Sequence, residues 1–406
     1  MNNIWIINHY ASLKKGRLPE IASVFVQFGY SVSIFLSSFS HGNKKYMYDD
    51  EVKIVKVDGV NYVYIHSGPM YNNNGSKRIL NMLDFCRIIK KNHRYIANEI
   101  GKPDSVIASS VHPFAWEIGY ALSKKYKSSF VAEVRDIWPL SLIELLHLSR
   151  FHPLVVILSV IEKRAYRRAD AIVTTMPFAY RHICDTMGYN KNKVHWIPNG
   201  IDTKRADEAV KNGIQLPPEL DAYLTNHWCC IYTGSFVESE RVDFMVKAFD
   251  KLKDTDIHFA IVGSGQDKHL IENLICEKKL ENIEVFDPIS KDQVHVALDK
   301  AQCCLAAIHD YPIYNYGLSM NKLSDYLYSG KPVIFACDCE NVVMDAGHVV
   351  VSSQDEDAFV NAIIDVRNNR NKEYYTKLGE TSKTLIKEKY DYQVIARNYV
   401  ELLKSL

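Results

Sequence analysis

Short apolar runs alternate with longer amphipathic segments along nearly the whole chain. The segments 78–99, 114–126, 242–253 and 268–279 repeat apolar positions with the period of a helix, whereas the shorter runs have the length of buried strands. Strands are predicted at 4–7, 32–36, 106–108, 130–134, 171–173 and 194–197 in the first half of the chain, and at 229–233, 259–262, 283–286, 304–307 and 333–335 in the second.

Repeated strand–helix units predict parallel sheets covered by helices on both faces. Residues 52–57 and 62–66 predict a short antiparallel excursion, and the polar segment 203–227 has no strand pattern. We therefore predict an α/β fold with two Rossmann-like domains facing a cleft, because ligands of open α/β sheets bind at the carboxyl ends of the strands. The predicted parts are a first domain at 1–202, an interdomain connection at 203–227, a second domain at 228–388, and a C-terminal helix at 389–406 that packs back toward the N-terminal domain.

Composition narrows the functional classes. The 406 residues carry a net charge of +1, which gives no general attraction to nucleic acid, so no nucleic-acid partner is expected. Nine cysteines form no CxxC pair, which favours reduced thiols and a cytoplasmic location. The N-terminus lacks a basic flank and predicts a first core strand rather than a signal peptide. The longest apolar run, 154–161, is far shorter than the ~20 residues that span a bilayer.

The stretch 316–334 carries the most informative pattern. A glycine-bearing turn is followed by a predicted helix, in which Ser319 is a candidate N-cap. Free N–H groups and the helix dipole favour an anion there, and Lys322 in the first turn adds positive charge. Asp325, one turn later, can accept hydrogen bonds from two neighbouring hydroxyls. The pattern fits a nucleoside-diphosphate site, and a plain amphipathic helix with a solvated lysine remains the alternative.

Four segments together resemble a known family. They are 134–139 (VRDIWP), 197–202 (IPNGID), 232–236 (YTGSF) and 316–334, in that order and spacing. In this combination the chain is similar to the retaining GT-B glycosyltransferases of family 4. The subgroup it most resembles transfers fucosamine-type or other N-acetylated sugars in O-antigen or capsule synthesis.

The resemblance implies a nucleotide-sugar donor, expected to be UDP-linked, and transfer without a metal or another cofactor. Two positions depart from the family pattern, because Gly317 and Asp325 stand where many members have glutamates. Ser235 and Arg241 stand where members often carry phosphate-binding residues. The donor-binding residues implied by the resemblance are Gly16, Arg17, Gly234, Ser235, Arg241, Gly263, Ile289, Gly317, Leu318, Ser319 and Asp325.

Three residues are assigned catalytic roles by the resemblance. Lys322 would stabilise the leaving diphosphate, His112 would face the donor sugar, and Asp136 would position the acceptor or accept its proton. His9 is the second candidate for the sugar-facing role. A solvated helix-start histidine, an Asp136–Arg135 ion pair and an ordinary basic loop around Gly16 are the alternatives. No metal ligands are predicted, since the triplets 254–256 and 355–357 do not follow apolar strands.

The segment 140–168 is rich in apolar residues and ends in a basic cluster. This pattern is typical of a helix that contacts an anionic membrane surface, and a core helix with a solvated end is the alternative. We therefore expect a protein on the cytoplasmic face of the plasma membrane that transfers sugar to a lipid-linked saccharide acceptor. A non-hydrolysing nucleotide-sugar 2-epimerase and an inactive nucleotide-sugar-binding subunit remain alternative functions.

Overall fold

The computed structural model describes residues 3–14, 16–40, 44–72, 75–368 and 372–406. These residues form two compact units, and the chain passes between the units twice. The first unit comprises Met1–Asn199 together with Tyr392–Leu406, and the second comprises Gly200–Asp391.

The first unit is built on an eight-stranded sheet with the order β10-β9-β8-β7-β1-β2-β6-β5. All neighbouring strands run parallel except β5, which pairs antiparallel with β6, so the predicted antiparallel excursion is confirmed. A separate two-stranded hairpin of β3 and β4, which the sequence pattern does not predict, follows β2. The strands are β1 (Asn3–Ile7), β2 (Ser31–Ser37), β3 (Phe39–Ser40), β4 (Lys45–Tyr46), β5 (Val52–Val57), β6 (Val60–Ile65), β7 (Ser105–Ser109), β8 (Ser129–Val134), β9 (Ala171–Thr174) and β10 (Val194–Trp196).

The helices of the first unit include one from the far end of the chain. The predicted apolar segment 140–168 forms two helices rather than one, because Pro153 starts a new helix that the His152 side chain caps at the Leu154 N–H, 3.2 Å away. The helices are α1 (Arg17–Gln27), α2 (Ser76–Ile100), α3 (Phe114–Tyr126), α4 (Leu140–Glu144), α5 (Pro153–Arg168) and α15 (Tyr392–Lys404), with a π-helical turn at Arg181–Thr186 and a 3-10 turn at Lys191–Lys193.

Helix α15 is part of the core of the first unit. Tyr399 and Ile395 are fully buried against α1, where the rings of Phe25 and Tyr399 meet edge to face at 6.0 Å. The Tyr399 hydroxyl also donates to Glu133 on β8, at 3.0 Å. These contacts confirm the prediction that the C-terminal helix packs on the N-terminal part of the chain.

The second unit contains a six-stranded parallel sheet with the order β13-β12-β11-β14-β15-β16. Strand β16 was not predicted, because its three valines are only partly buried and form too short a run to stand out. The strands are β11 (Trp228–Ser235), β12 (Ile257–Ser264), β13 (Ile283–Phe286), β14 (Cys303–Ala307), β15 (Val333–Ala336) and β16 (Val349–Val351).

The helices of the second unit include the segment predicted as a connection. Residues 203–227 fold into two helices, in which Ala206 and Leu220 are buried in the same core as strands β11 and β14. The prolines at 217 and 218 start a helix here instead of marking a linker. The helices are α6 (Thr203–Lys211), α7 (Pro218–Asn226), α8 (Val242–Asp250), α9 (Lys268–Lys278), α10 (Lys291–Lys300), α11 (Asn321–Ser329), α12 (Val342–Asp345), α13 (Glu356–Arg367) and α14 (Lys372–Lys389), with 3-10 turns at Glu238–Glu240 and Pro312–Tyr316.

Candidate functional site

A pocket of about 560 Å³ opens in the second unit at the carboxyl ends of its strands. Strands β11, β12 and β13 end at this pocket, and helices α10 and α11 begin beside it. Ligands of parallel α/β sheets bind at this edge. The lining residues are Thr233, Gly234, Ser235, Glu240, Val262, Gly263, Ser264, Pro288, Ile289, Lys291, Val294, Ser319, Met320, Asn321, Lys322 and Asp325.

Two glycines allow the strand ends to approach each other closely. A Cβ atom on Gly263 would lie 1.8 Å from the Gly234 carbonyl oxygen, which is backbone and cannot move aside easily. A Cβ atom on Gly234 would lie 2.5 Å from the Lys322 Nζ atom. The absence of a Cβ atom at Gly263 therefore lets the ends of β11 and β12 lie side by side, and its absence at Gly234 leaves space for the Lys322 side chain.

Lys322 lies in the first turn of α11 and is held by three contacts. Its ammonium donates to Glu240 Oε2 at 2.6 Å and to the Tyr232 hydroxyl at 2.9 Å, and it sits 4.2 Å from the centroid of the Tyr232 ring. Burial lowers the pKa of the Lys322 ammonium, and the negative charge of Glu240 opposes that shift. These contacts hold the Lys322 ammonium at the edge of the pocket as one half of an ion pair with Glu240.

The first turn of α11 has no side-chain cap. The helix begins at Asn321 after Met320, and no side chain caps it, so the predicted N-cap role of Ser319 is wrong. The Ser319 side chain lines the pocket, whereas Gly317 and Leu318 lie outside the lining. Gly317 instead ends a 3-10 turn at φ +95°, and Leu318 packs against the core. Uncapped N–H groups at a helix start bind anions.

Asp325 lies one turn further along α11 with a buried carboxylate. One oxygen, Oδ2, pairs with the ammonium of Lys291, whose side chain is 45% exposed. The other oxygen, Oδ1, has no hydrogen-bond partner among the described residues. A buried carboxylate oxygen without a donor, on a residue that lines a pocket, is suited to accept a hydrogen bond from a ligand hydroxyl.

Lys291 and Glu240 are pocket residues that the sequence reasoning missed. Lys291 is the first residue of α10, which begins with a capping box between Ser290 and Gln293. That spacing is a recognisable helix start and could have indicated a cation at the strand ends. Glu240 lies in an isolated 3-10 turn, where no sequence pattern predicts its contact with Lys322.

Two arginines expected at the ligand are engaged elsewhere. The Arg17 side chain is buried, pairs with Glu133, and donates to the carbonyl oxygens of Ile197 at 2.7 Å and Pro198 at 3.2 Å. Arg241 donates to the carbonyl oxygen of Ser353 and is absent from the pocket lining. Both side chains make contacts within their own unit, so the structure does not favour a contact with phosphate, and their donor-binding role stays a prediction.

Gly16 keeps the geometry that the sequence suggested. It precedes α1 with φ +92°, a conformation that favours glycine, and an added Cβ would meet no atom within 4 Å. Its neighbour Lys15 lies outside the described residues. An open helix start at residue 16 therefore remains a candidate phosphate contact.

Two histidines meet in the first unit at the ends of β1 and β7. These strands are neighbours, and the sheet order reverses between them, which is where α/β sheets bind ligands. His9 Nδ1 lies 3.0 Å from His112 Nε2, and each side chain is only 1% exposed. Burial lowers the pKa of His112 to about 3 and that of His9 well below its usual value. The alternative of a solvated His112 is therefore wrong.

Asp136 follows β8 with an exposed side chain. No ion pair joins it to Arg135 within the part of the chain that the structure describes, so the alternative of a buried pair is not observed. The role in acceptor positioning stays a prediction.

Three aspartates of the two Asp-x-Asp triplets form ion pairs and a helix cap. Asp256 pairs with Arg367, Asp355 caps α13 at the Ala358 N–H, 2.8 Å away, and Asp357 pairs with Lys251 at 2.8 Å. Across the described ranges, no group of three or more His, Cys, Asp or Glu side chains is arranged to hold a metal ion. No helix in those ranges is both long and apolar enough to cross a bilayer.

The two parallel-sheet units and the strand-end pocket define a protein of the GT-B class. Sequence profiles agree with this class over most of the chain. The profile of glycosyltransferase family 4 matches residues 19–205, and that of the glycosyl transferases group 1 matches residues 229–369. The two profiles together cover most of the chain, so the chain is similar to glycosyltransferases in both of its units, and the family 4 profile agrees with the resemblance over the first unit.

Curated relatives are similar over part of the sequence. A putative colanic acid biosynthesis glycosyl transferase, WcaI of Escherichia coli, is 29% identical over 125 residues, which is 29% of this chain and 29% of that protein. An uncharacterized glycosyltransferase, MJ1178 of Methanocaldococcus jannaschii, is 25% identical over 172 residues, which is 41% of this chain and 46% of that protein. The matched region thus spans less than half the length of either relative.

Solved structures share the fold over the whole chain. Sucrose-phosphate synthase from Thermosynechococcus elongatus has a TM-score of 0.75 at 15% identity, covering 100% of this chain and 99% of that one. Alr3699/HepE of Anabaena, solved with UDP and glucose, has a TM-score of 0.68 at 14% identity, covering 100% of both chains. At these identities the likeness establishes the fold alone.

Proposed function

We propose that this protein is a retaining, metal-independent glycosyltransferase. It moves a sugar from a UDP-linked donor to a lipid-linked saccharide during synthesis of a surface polysaccharide such as O-antigen or capsule. The observation that carries the proposal is the pocket of the second unit, where Lys322, the uncapped start of α11 and the buried Asp325 lie together. The relatedness to WcaI supports a role in polysaccharide synthesis, and the HepE complexes support a UDP-linked donor.

The pocket supplies what transfer from a nucleoside diphosphate needs. As the sugar leaves, negative charge grows on the diphosphate, and groups already aimed at that charge lower the barrier. The Lys322 ammonium and the backbone N–H groups of the first turn of α11 provide fixed positive charge without a proton transfer. In this proposal these groups take the part that a divalent metal plays in other transferases.

The nucleoside end would be held by the opposite side of the pocket. Asp325 Oδ1 accepts a hydrogen bond from the ribose diol, while Lys291 holds the second carboxylate oxygen. Pro288 and Ile289 follow β13 and line the pocket at the place expected for the base. The retaining outcome rests on the family resemblance, and His112 and Asp136 are proposed to act on the donor sugar and the acceptor.

The surface of α5 supports a peripheral position on an anionic membrane. Val156, Ile157 and Val160 are each about half exposed on one face of the helix, and Phe151 just before it is 90% exposed. Exposed basic residues, Lys163, Arg164 and Arg167, continue this face. An apolar face followed by basic residues suits the interface of a bilayer with anionic lipid, where each basic residue contributes about 1 kcal/mol.

The membrane proposal is tested by flotation with anionic vesicles. Arg164 and Arg168 both approach Glu117 at 3.3 Å, so replacing them would also disturb the fold of the first unit. The sharper variant is therefore Lys163→Gln with Arg167→Gln, and Lys124→Gln with Lys125→Gln on α3 is the matched control. Binding that weakens with salt and is lost only in the α5 variant is expected. A wild-type protein that never floats would exclude the membrane contact.

The enzymatic proposal is tested by transfer of labelled sugar. Purified protein is incubated with a panel of UDP- and GDP-sugars and a bacterial lipid extract, in EDTA, and labelled lipid is separated from free sugar. The Lys322→Met variant is the inactive control. We expect labelled lipid from one UDP-sugar with the anomeric configuration of the donor. An altered nucleotide sugar formed without lipid would instead indicate a 2-epimerase, and donor binding without any product would indicate an inactive subunit.

A further inference from the structure

Two free thiols face each other in the loop that follows β15. The Sγ atoms of Cys337 and Cys339 lie 3.3 Å apart, and Asp338 is the residue between them. A disulfide joins two sulfur atoms at a separation of about 2 Å. A small movement of the two side chains would therefore be enough to bring these sulfurs to bonding distance.

The backbone that carries these thiols is held at both ends. The Cys337 N–H donates to the carbonyl oxygen of Val351 on β16, at 2.8 Å. The side-chain amide of Asn341 donates to the carbonyl oxygen of Cys339, at 2.9 Å. The folded loop thus keeps the two thiols side by side.

The Cys337 sulfur is the better nucleophile of the two. It accepts a hydrogen bond from the backbone N–H of Cys339, at 3.5 Å. A hydrogen bond with the Cys339 thiol lowers the pKa of the Cys337 thiol against the opposing effect of burial, and the same contact raises the pKa of Cys339. The thiolate is the form that reacts with oxidants, so Cys337 should react first and Cys339 second.

The pair lies closer to the surface than the cysteines of the sheet. Cys337 and Cys339 are 3% and 8% exposed, and their neighbours Asp338 and Glu340 are exposed. The cysteines of β11 and β14 are all 0% exposed: Cys229, Cys230, Cys303 and Cys304. This limited exposure favours a small oxidant over a bulky one such as oxidised glutathione.

A metal site explains the pair less well than redox chemistry does. Structural thiolate sites for zinc have four ligands. Within the part of the chain that the structure describes, no third histidine, cysteine, aspartate or glutamate side chain completes a metal-binding group. In a reducing compartment, disulfides are usually transient and often sense oxidants.

We propose that Cys337 and Cys339 form a redox site that hydrogen peroxide closes to a reversible disulfide. The Cys337 thiolate attacks one peroxide oxygen, so that an S–O bond forms, the O–O bond breaks and the released hydroxide is protonated to water. The Cys339 sulfur then attacks the Cys337 sulfur of the sulfenic acid, so that the S–S bond forms and a second water leaves. Two thiols are oxidised, one peroxide is reduced, and both thiol protons end on the waters. A dithiol reductant opens the disulfide again by exchange.

The site is tested by mass spectrometry on the wild-type protein. Reduced protein is treated with a graded series of hydrogen peroxide, the remaining thiols are alkylated with iodoacetamide, and the peptides are compared. We expect the peptide containing Cys337 and Cys339 to be unalkylated and two hydrogens lighter than its reduced form, and dithiothreitol should reverse this change. The exposed Cys276 is the internal reference and should still be alkylated at the peroxide concentration that closes the pair. Alkylation of both Cys337 and Cys339 after Cys276 is oxidised would overturn the proposal.

Single variants test the order of the two steps. Cys339→Ser removes the second thiol and should leave a sulfenic acid on Cys337 that dimedone traps, whereas Cys337→Ser should give little adduct on Cys339. Cys184→Ser changes a partly exposed cysteine of the first unit and is the matched control, which should form the disulfide like the wild type. Equal adducts in the first two variants would refute the role of Cys337 as the attacking thiol. The wild-type measurement needs no substitution, so it decides the proposal even if a variant does not fold, and neither measurement depends on the proposed function.

Discussion

Replacing Asp325 by asparagine should weaken binding of UDP while leaving the fold intact. The substitution keeps the size of the side chain but removes the charge that lies between Lys291 and the pocket. Lys291 is half-exposed, so its ammonium can turn to solvent, and the free energy of unfolding should change by less than about 1 kcal/mol. Loss of affinity therefore reports the contact with the ligand rather than damage to the protein.

The size of the effect follows from the unpaired oxygen. Asp325 Oδ1 is buried without a partner among the described residues, so a ribose hydroxyl that reaches it makes a hydrogen bond to a charged group. Such bonds contribute about 1.5–3 kcal/mol, whereas the neutral bond that asparagine can still accept contributes about 0.5–1.5 kcal/mol. The difference, about 1–1.5 kcal/mol, corresponds to a rise in Kd of about 5- to 13-fold. Asp292→Asn is the matched control. Asp292 follows Lys291 on α10, its carboxylate pairs with Arg205 of α6, and it does not line the pocket.

Isothermal titration calorimetry with UDP and its 2′- and 3′-deoxy analogues isolates the contact. In the wild type, at least one deoxy analogue should bind more weakly than UDP. In Asp325→Asn that difference should become smaller, since the amide oxygen still accepts a hydrogen bond but no longer carries the charge that strengthens it, and the two changes are therefore not additive. If each deoxy penalty is the same in the variant as in the wild type, Asp325 does not hold the ribose and the reasoning is refuted.

Further variants test the other charges and the backbone. Lys322→Met should raise the Kd of UDP more than tenfold and leave that of uridine nearly unchanged, and equal losses would make the lysine structural. Gly234→Ala should have a similar effect in the same titration, because its Cβ would press on Lys322 Nζ. Arg17→Met should lower the stability to urea by about 3–5 kcal/mol, since it leaves Glu133 buried without its partner; a loss of UDP affinity without this destabilisation would return Arg17 to the ligand. Transfer of labelled sugar should continue in EDTA, and rescue of a lost activity by Mn²⁺ or Mg²⁺ would contradict a metal-independent mechanism.

The sequence predicted where the pocket of the second unit lies better than it predicted which charged side chains pair there. The period of the apolar residues gave the strand ends, and Gly234, Gly263 and Ile289 all line the pocket at those ends. Lys322 and Asp325 could be placed because they lie within the first two turns of one helix, where spacing alone fixes the geometry.

The partners of long charged side chains could not be predicted. Arg17 pairs with a glutamate 116 positions away, and Lys291 reaches a carboxylate 34 positions away. Such contacts depend on how strands are ordered in the sheet, and local patterns carry no information about that order. The same limit explains why residues 203–227 were predicted as a connection. Their composition is polar, but a few apolar residues at helical spacing pack two helices onto the core of the second unit.

Helix α15 has a consequence for how the protein is made on the ribosome. The first unit is completed only by residues 392–406, yet 200–391 are synthesised before them. At ~5–20 residues per second this leaves the first unit unfinished for about 10 to 40 s. Throughout that interval Glu133 lacks the Tyr399 hydroxyl and the face of α1 around Phe25 stays uncovered. A chain stopped before residue 392 would therefore carry a complete second unit beside an open first unit, exposed to chaperones and proteases.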